Sequence, residues 1–277
     1  MKRLLFIFIF SAALFSPIFY VQATAPIKIL LVPGHDNQSP GAQYGNIKEA
    51  DMTLALATRI YNILKKDSRF EVHITRNSSG YTKEFADYLS GEQAEISAFE
   101  ENAKIEMQNK ISNGSFIQKE NPPHNTVTED IATRLYGFNK WADENKMDAV
   151  IHIHFNDYPR PTKWTIGQYK GFVVYLPEQQ MANSEASDLL ATNIYLQFRK
   201  KYSTSTFEKE LGGFIPDQSL IALGSNGTLL PSVCSVLVEY GYIYEKKFRT
   251  NSARTASYID MANLTVQGIK NNFSPIP

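Results

Sequence analysis

The spacing of apolar positions changes period several times along the chain, and each change predicts an element. Residues 27–33, IKILLVP, form a nearly unbroken apolar run, as expected of a strand buried on both faces. The run stops at Gly34-His35, and a polar loop with Gly and Pro follows. From about Ile47 the period becomes helical: Glu49, Met52, Leu56, Ile60 and Ile63 step by 3, 4, 4 and 3 and share one face. Residues 69–76, RFEVHITR, alternate, with Val72 and Ile74 on one side of a second strand and His73 on the other. Residues 77–128 are the least regular part. Within them, 81–111 predicts one or two helices broken near Ser90-Gly91, and the Gly, Asn and Pro of 112–125 predict a loop that contains His124. A segment of this length between core elements reads as an insertion, either a peripheral helical hairpin or a lid over a cleft.

Thr126 and Glu129 have capping-box spacing for the next helix, in which Ile131, Leu135, Phe138 and Ala142 recur at 4, 3 and 4. Strands are then predicted at DAVIHIHFND (148–157), GFVVYL (171–176), SLIAL (219–223) and SVCSVLVEYG (232–241), with helices over 184–202 and 253–271. Strands alternating with helices predict an α/β fold of three layers: a mostly parallel central sheet of about six strands, flanked by helices.

The first 23 residues change the picture of where the protein acts. Lys2 and Arg3, then LLFIFIFSAALF, then Val21-Gln22-Ala23 have the order of an export signal cleaved after Ala23. The apolar part is also long enough to serve, uncleaved, as a transient membrane attachment. Residues 24–277 then form the working domain, with the 77–128 insertion inside it. Cleavage removes two of 28 basic residues and none of 28 acidic ones, leaving a formal charge of −2. That balance excludes the basic footprint of a nucleic-acid partner. The single cysteine, Cys234, excludes an internal disulfide and, among apolar neighbours, reads as core.

Candidate chemistry gathers at strand ends. His35 follows the first strand. His152 and His154, at i and i+2, point to one face of the third. Glu239 ends the last strand, and Glu49 heads the first helix on the face that meets the sheet. In a parallel sheet these ends lie along one edge, where open α/β folds place their ligands. Two imidazoles and a carboxylate are the protein ligands of a hydrolytic zinc site, with a further carboxylate free for proton transfer. On spacing alone, either His152 or His154 could be the second imidazole.

The stretches VPGHDNQSPGAQYGNIKEADMTLALATRI, EVHITR, DAVIHIHFND and PSVCSVLVEYGY, in this order, resemble the zinc-dependent N-acetylmuramoyl-L-alanine amidases of the amidase-3 type. The resemblance covers most of residues 27–272 outside 77–128. It implies that His35, Glu49 and His154 hold Zn2+ and that Glu239 is the catalytic base and acid. It selects His154 over His152 because Asn156 follows at the family's spacing. Two positions depart from the family: His152 stands where a small residue such as Ser is usual, and Asp36 where Gly is common. Asp36 either orients His35 or serves the loop; Asn156 either fixes the strand end or touches substrate; Arg76 reads as structural. The implied substrate is peptidoglycan, at the amide between N-acetylmuramic acid and L-alanine, which agrees with export to the periplasm, wall or medium. A separate protein activator and a gating role for the insertion are compatible with it. The competing readings are a zinc peptidase acting on other peptides and a catalytically silent wall-binding protein.

Overall fold

A computed structural model describes residues 25–119 and 127–274. The export signal, His124 and Thr126 lie outside the described residues. The first strand, β1 (Ile27–Pro33), is central because both of its faces are apolar. Ile29 and Leu31 enter one core, Leu30 and Val32 the other. With β2 (Phe70–Ile74), β3 (Ala149–Asn156), β4 (Val173–Pro177), β5 (Phe214–Asp217) and β6 (Cys234–Tyr242) it forms a six-stranded sheet in the order β2-β1-β3-β6-β4-β5. β2, β1, β3 and β6 run parallel; β4 is antiparallel to β6, and β5 is parallel to β4.

The helices complete three layers. One face carries α1 (Glu49–Leu64), and Met52, Leu56 and Ile60 of its predicted stripe are buried against the sheet. The insertion supplies α2 (Lys83–Gly91) and α3 (Gln93–Ser112), broken where the sequence predicts. α4 (Glu129–Glu144) packs Phe138, Trp141 and Ala142 on the opposite face, with Phe85 of α2 beside them. α5 (Ser184–Arg199), the short α6 (Lys246–Arg249) and α7 (Asn251–Asn272) lie on the α1 side. After α3 the chain crosses to the far edge of the sheet. There the Ile117 backbone donates to Gln180, and the Lys119 ammonium meets Glu178 Oε1 at 2.8 Å. Among the described residues no helix is long and apolar enough to cross a membrane.

One predicted strand is absent. SLIAL is a 3-10 turn, Ile221–Leu223, ended by Gly224 at φ 87°. Asp217 Oδ1 accepts from the Ser219 and Leu220 backbone N–H groups and turns the chain away from the sheet. Its apolar content has another cause: Ala222 and Leu223 cover Val173, Tyr175 and Leu237 as a plug. The sixth strand is instead FIPD, β5, at the sheet edge, where Pro216 is tolerated.

Candidate active site

Register brings the predicted groups together. Val32 pairs with His152 and Pro33 with Ile153, so Gly34 falls beside His154; on the other side of β3, Glu239 of β6 pairs with His154 itself. The Gly34 N–H donates to the Ile153 carbonyl at 2.9 Å and fixes this alignment. A Cβ on Gly34 would lie 2.2 to 2.6 Å from three atoms of the His154 ring, so only glycine leaves the imidazole its place. His35 then adopts φ 62°, a left-handed conformation that costs a non-glycine residue roughly 1–3 kcal/mol.

Glu49 is the first residue of α1. Its N–H donates to the Ala42 carbonyl at 2.9 Å. Its side chain is buried, and each carboxylate oxygen is used twice. Oε1 lies 3.2 Å from His154 Nδ1 and accepts from the Phe155 N–H at 3.0 Å. Oε2 lies 3.1 Å from His35 Nε2 and accepts from the Ala42 N–H at 2.9 Å. The two imidazoles stand edge to face, with centroids 5.2 Å apart. One ligand atom from each of His35, Glu49 and His154 falls within 4.8 Å of the others.

Charge follows from this packing. Burial acts to raise the Glu49 pKa, but hydrogen bonding to His154 and His35 and their positive charge outweigh it, and the carboxyl is held far below its usual range. Burial acts to lower the His35 pKa, yet Glu49 and a hydrogen bond to the Ser39 backbone raise it overall. Glu239 is the opposite case. Burial, then the charges of Glu49 and Glu210, push its pKa well above the ordinary carboxyl value. Its Oε2 is closed to solvent and has no hydrogen-bond partner among the described residues. Two imidazoles and a carboxylate brought to one point, with a glycine where a Cβ would intrude, are a group of side chains that could hold a metal ion.

The remaining sequence candidates separate. His152 is buried in the floor of a cavity of about 390 Å³ beside the triad, outside the three-residue cluster, and burial and the charge of His154 push its pKa down to about 3. Asp36 organises the loop: it accepts from the Gln38 and Ser39 N–H groups and pairs with Arg134 at 2.8 Å. Arg76 is buried and donates to the carbonyls of Pro33, Gly34 and Ala50 and to Thr53 Oγ1, so it braces the two segments that carry His35 and Glu49. His73 is held on β2 between Glu71 and Glu84, outside the triad. Cys234 is buried, and burial pushes its thiol up to about 11.

Glu210 escapes a reading of the sequence. It is buried behind the site, accepting from Asn156 Nδ2 at 2.7 Å, Tyr175 OH at 2.8 Å and Tyr242 OH at 2.9 Å, and from Ser205. Asn156 therefore links the end of β3 to this carboxylate. Its local sequence, FEKEL, carries no signal of burial.

Comparison with known proteins bears on the fold and the family. Solved structures that resemble the chain include an N-acetylmuramyl-L-alanine amidase from Mycobacterium abscessus. It is 17% identical, with a TM-score of 0.57 over 91% of this chain and 100% of that one. The CwlD amidase from Clostridioides difficile, solved in complex with the GerS lipoprotein, is 17% identical with a TM-score of 0.56 over 89% and 98%. An N-acetylmuramoyl-L-alanine amidase from Clostridium difficile 630 is 15% identical, with a TM-score of 0.53 over 90% and 97%. At these identities the likeness is one of fold. A search of curated protein sequences returns no match. The family model for N-acetylmuramoyl-L-alanine amidases matches residues 29–271, nearly the whole described chain, and the protein accordingly belongs to that family of amide hydrolases.

Proposed function

We propose that the protein is a zinc-dependent peptidoglycan amidase in which His35, Glu49 and His154 hold the ion and Glu239 moves the proton. The observation that carries this reading is the pairing of that three-residue donor set with the buried, unpartnered Glu239 oxygen one strand away. Zinc held there supplies Lewis acidity to the scissile carbonyl and makes water a stronger acid. The chain's own residues supply the rest. Glu239, whose surroundings raise its affinity for a proton, acts from its carboxylate form: it takes a proton from the attacking water and, now protonated, returns it to the alanine nitrogen as the C–N bond breaks. Glu210 and Glu49 keep that carboxyl basic. The backbone N–H groups of Ala42 and Phe155 hold the Glu49 carboxylate in place.

Peptidoglycan lies outside the cytoplasmic membrane, and the signal-like residues 1–23 give the chain a route to it. The CwlD–GerS complex supports a protein partner as part of the same reading. The test is metal content per chain and release of stem peptides from purified peptidoglycan, on wild type and Glu239→Gln. About one zinc in both, with release reduced roughly 10²- to 10⁴-fold in the variant, is the expected result. A wild type that binds no zinc and releases no peptide would refute the reading.

A further inference from the structure

The cavity beside the triad lies between α4 and the Ser219–Ala222 turn. Ile131, Leu135 and Phe138 form one wall, Leu220 and Ala222 the other, with Leu237 below. His152 sits in its floor, in register between Val32 of β1 and Leu237 of β6 and 1% exposed. Its Nε2 has no hydrogen-bond partner among the described residues. The charged groups at the rim are paired, Asp36 with Arg134 and with the Tyr81 hydroxyl. An imidazole edge left unpaired among apolar side chains is costly, and Val or Leu would fill the same floor without that cost.

We propose that His152 is a substrate-binding residue whose Nε2 hydrogen-bonds a backbone amide group of the stem peptide lying in this cavity; the proposal rests on the peptidoglycan amidase reading. The polar content of the cavity favours peptide over glycan. A hydroxyl-rich sugar would leave several groups unpaired against Ile131, Leu135, Phe138 and Leu220, whereas a peptide brings a methyl side chain and few amide groups. Spacing fixes which part of the peptide is read. His152 precedes His154 by two residues on the same face of β3, so the two side chains stand about 6.6 Å apart along the strand. An extended peptide rises by the same amount in about two residues. The group that meets His152 therefore belongs to the first or second residue of the stem.

The test uses zinc-loaded protein carrying Glu239→Gln, so that substrate stays intact, and titrates it with N-acetylmuramoyl-L-alanyl-D-isoglutamine and, separately, with N-acetylmuramic acid. On this background His152→Ser and His152→Asn should weaken binding of the muramyl dipeptide roughly three- to tenfold. His152→Gln, whose amide reaches the place of Nε2, should restore most of it. Binding of N-acetylmuramic acid, zinc content and melting temperature should change little. Ile131→Trp, which narrows the cavity while keeping His152, should weaken dipeptide binding as well. In the otherwise wild-type enzyme, His152→Ser should raise KM more than it lowers kcat. Dipeptide affinity left unchanged by both His152→Ser and His152→Asn, or an equal loss of affinity for the sugar alone, would overturn the proposal. Hydrolysis is read separately: histidine-dependent dipeptide binding without release of stem peptides would uphold this subsite and refute the amidase reading.

Discussion

Arg76→Lys tests whether the geometry of the triad is held from behind. The guanidinium is buried, and its fork reaches four acceptors: Pro33 O at 3.3 Å, Gly34 O at 3.1 Å, Ala50 O at 2.7 Å and Thr53 Oγ1 at 2.9 Å. Three of these bonds share one nitrogen, so they are not independent. Lysine keeps the charge but offers a single point of donation and cannot span the fork. A hydrogen bond from a charged group contributes about 1.5–3 kcal/mol, and losing the equivalent of one of them predicts a loss of about 1.5–3 kcal/mol. A domain with roughly 5–15 kcal/mol of stability remains folded after such a loss. Urea unfolding of the metal-free protein, followed by circular dichroism, measures the loss directly. Because Gly34 and Ala50 adjoin His35 and Glu49, zinc affinity measured against a competing chelator should also fall, by about 10- to 100-fold. A variant within about 0.5 kcal/mol of wild type and with unchanged zinc affinity would show that Arg76 is not the brace, and the reasoning would fail.

Gly34→Ala places a Cβ 2.2 Å from His154 Cε1, so zinc affinity should drop at least about tenfold and stability by about 1–3 kcal/mol, read by chelator competition and thermal melting. Removing zinc with a chelator should abolish stem-peptide release and lower the melting temperature; restoring zinc to 100 times its Kd should return about 2.7 kcal/mol. Asp143 is raised to about 6, first by burial and then by the charge of Glu144. The folded state therefore binds its proton more tightly than the unfolded chain, and the stability gained at low pH is lost as pH rises from about 4 to 6. Asp143→Asn keeps an acceptor for the Leu230 N–H, so the variant should be more stable than wild type at pH 8 by up to about 1–2 kcal/mol after allowance for solvent screening, and no more stable at pH 4. Melting temperatures at the two pH values check this.

The sequence by itself determined the layer order and the four residues that meet at the sheet edge. Apolar runs such as IKILLVP must be buried on both faces, which requires helices on both sides, and parallel strands deliver whatever follows them to one edge. His35, His154 and Glu239 end neighbouring parallel strands, and Glu49 heads the helix that β1 feeds, so their approach was legible without coordinates. Only the tertiary structure decided what covers what. SLIAL has the composition of a strand because it is a plug over one, and FIPD is a strand despite its proline because it lies at an edge. Glu210 lies in a stretch that resembles solvent-exposed turn, yet Asn156, Tyr175 and Tyr242 from three distant segments enclose it together with the nearby Ser205. The unpaired nitrogen of His152 is a property of the cavity that α4 and the Ser219–Ala222 turn build around it. Local patterning reports which side of an element is buried; the partners that satisfy or abandon a buried polar atom come from residues far away in the chain, and only their packing settles its chemistry.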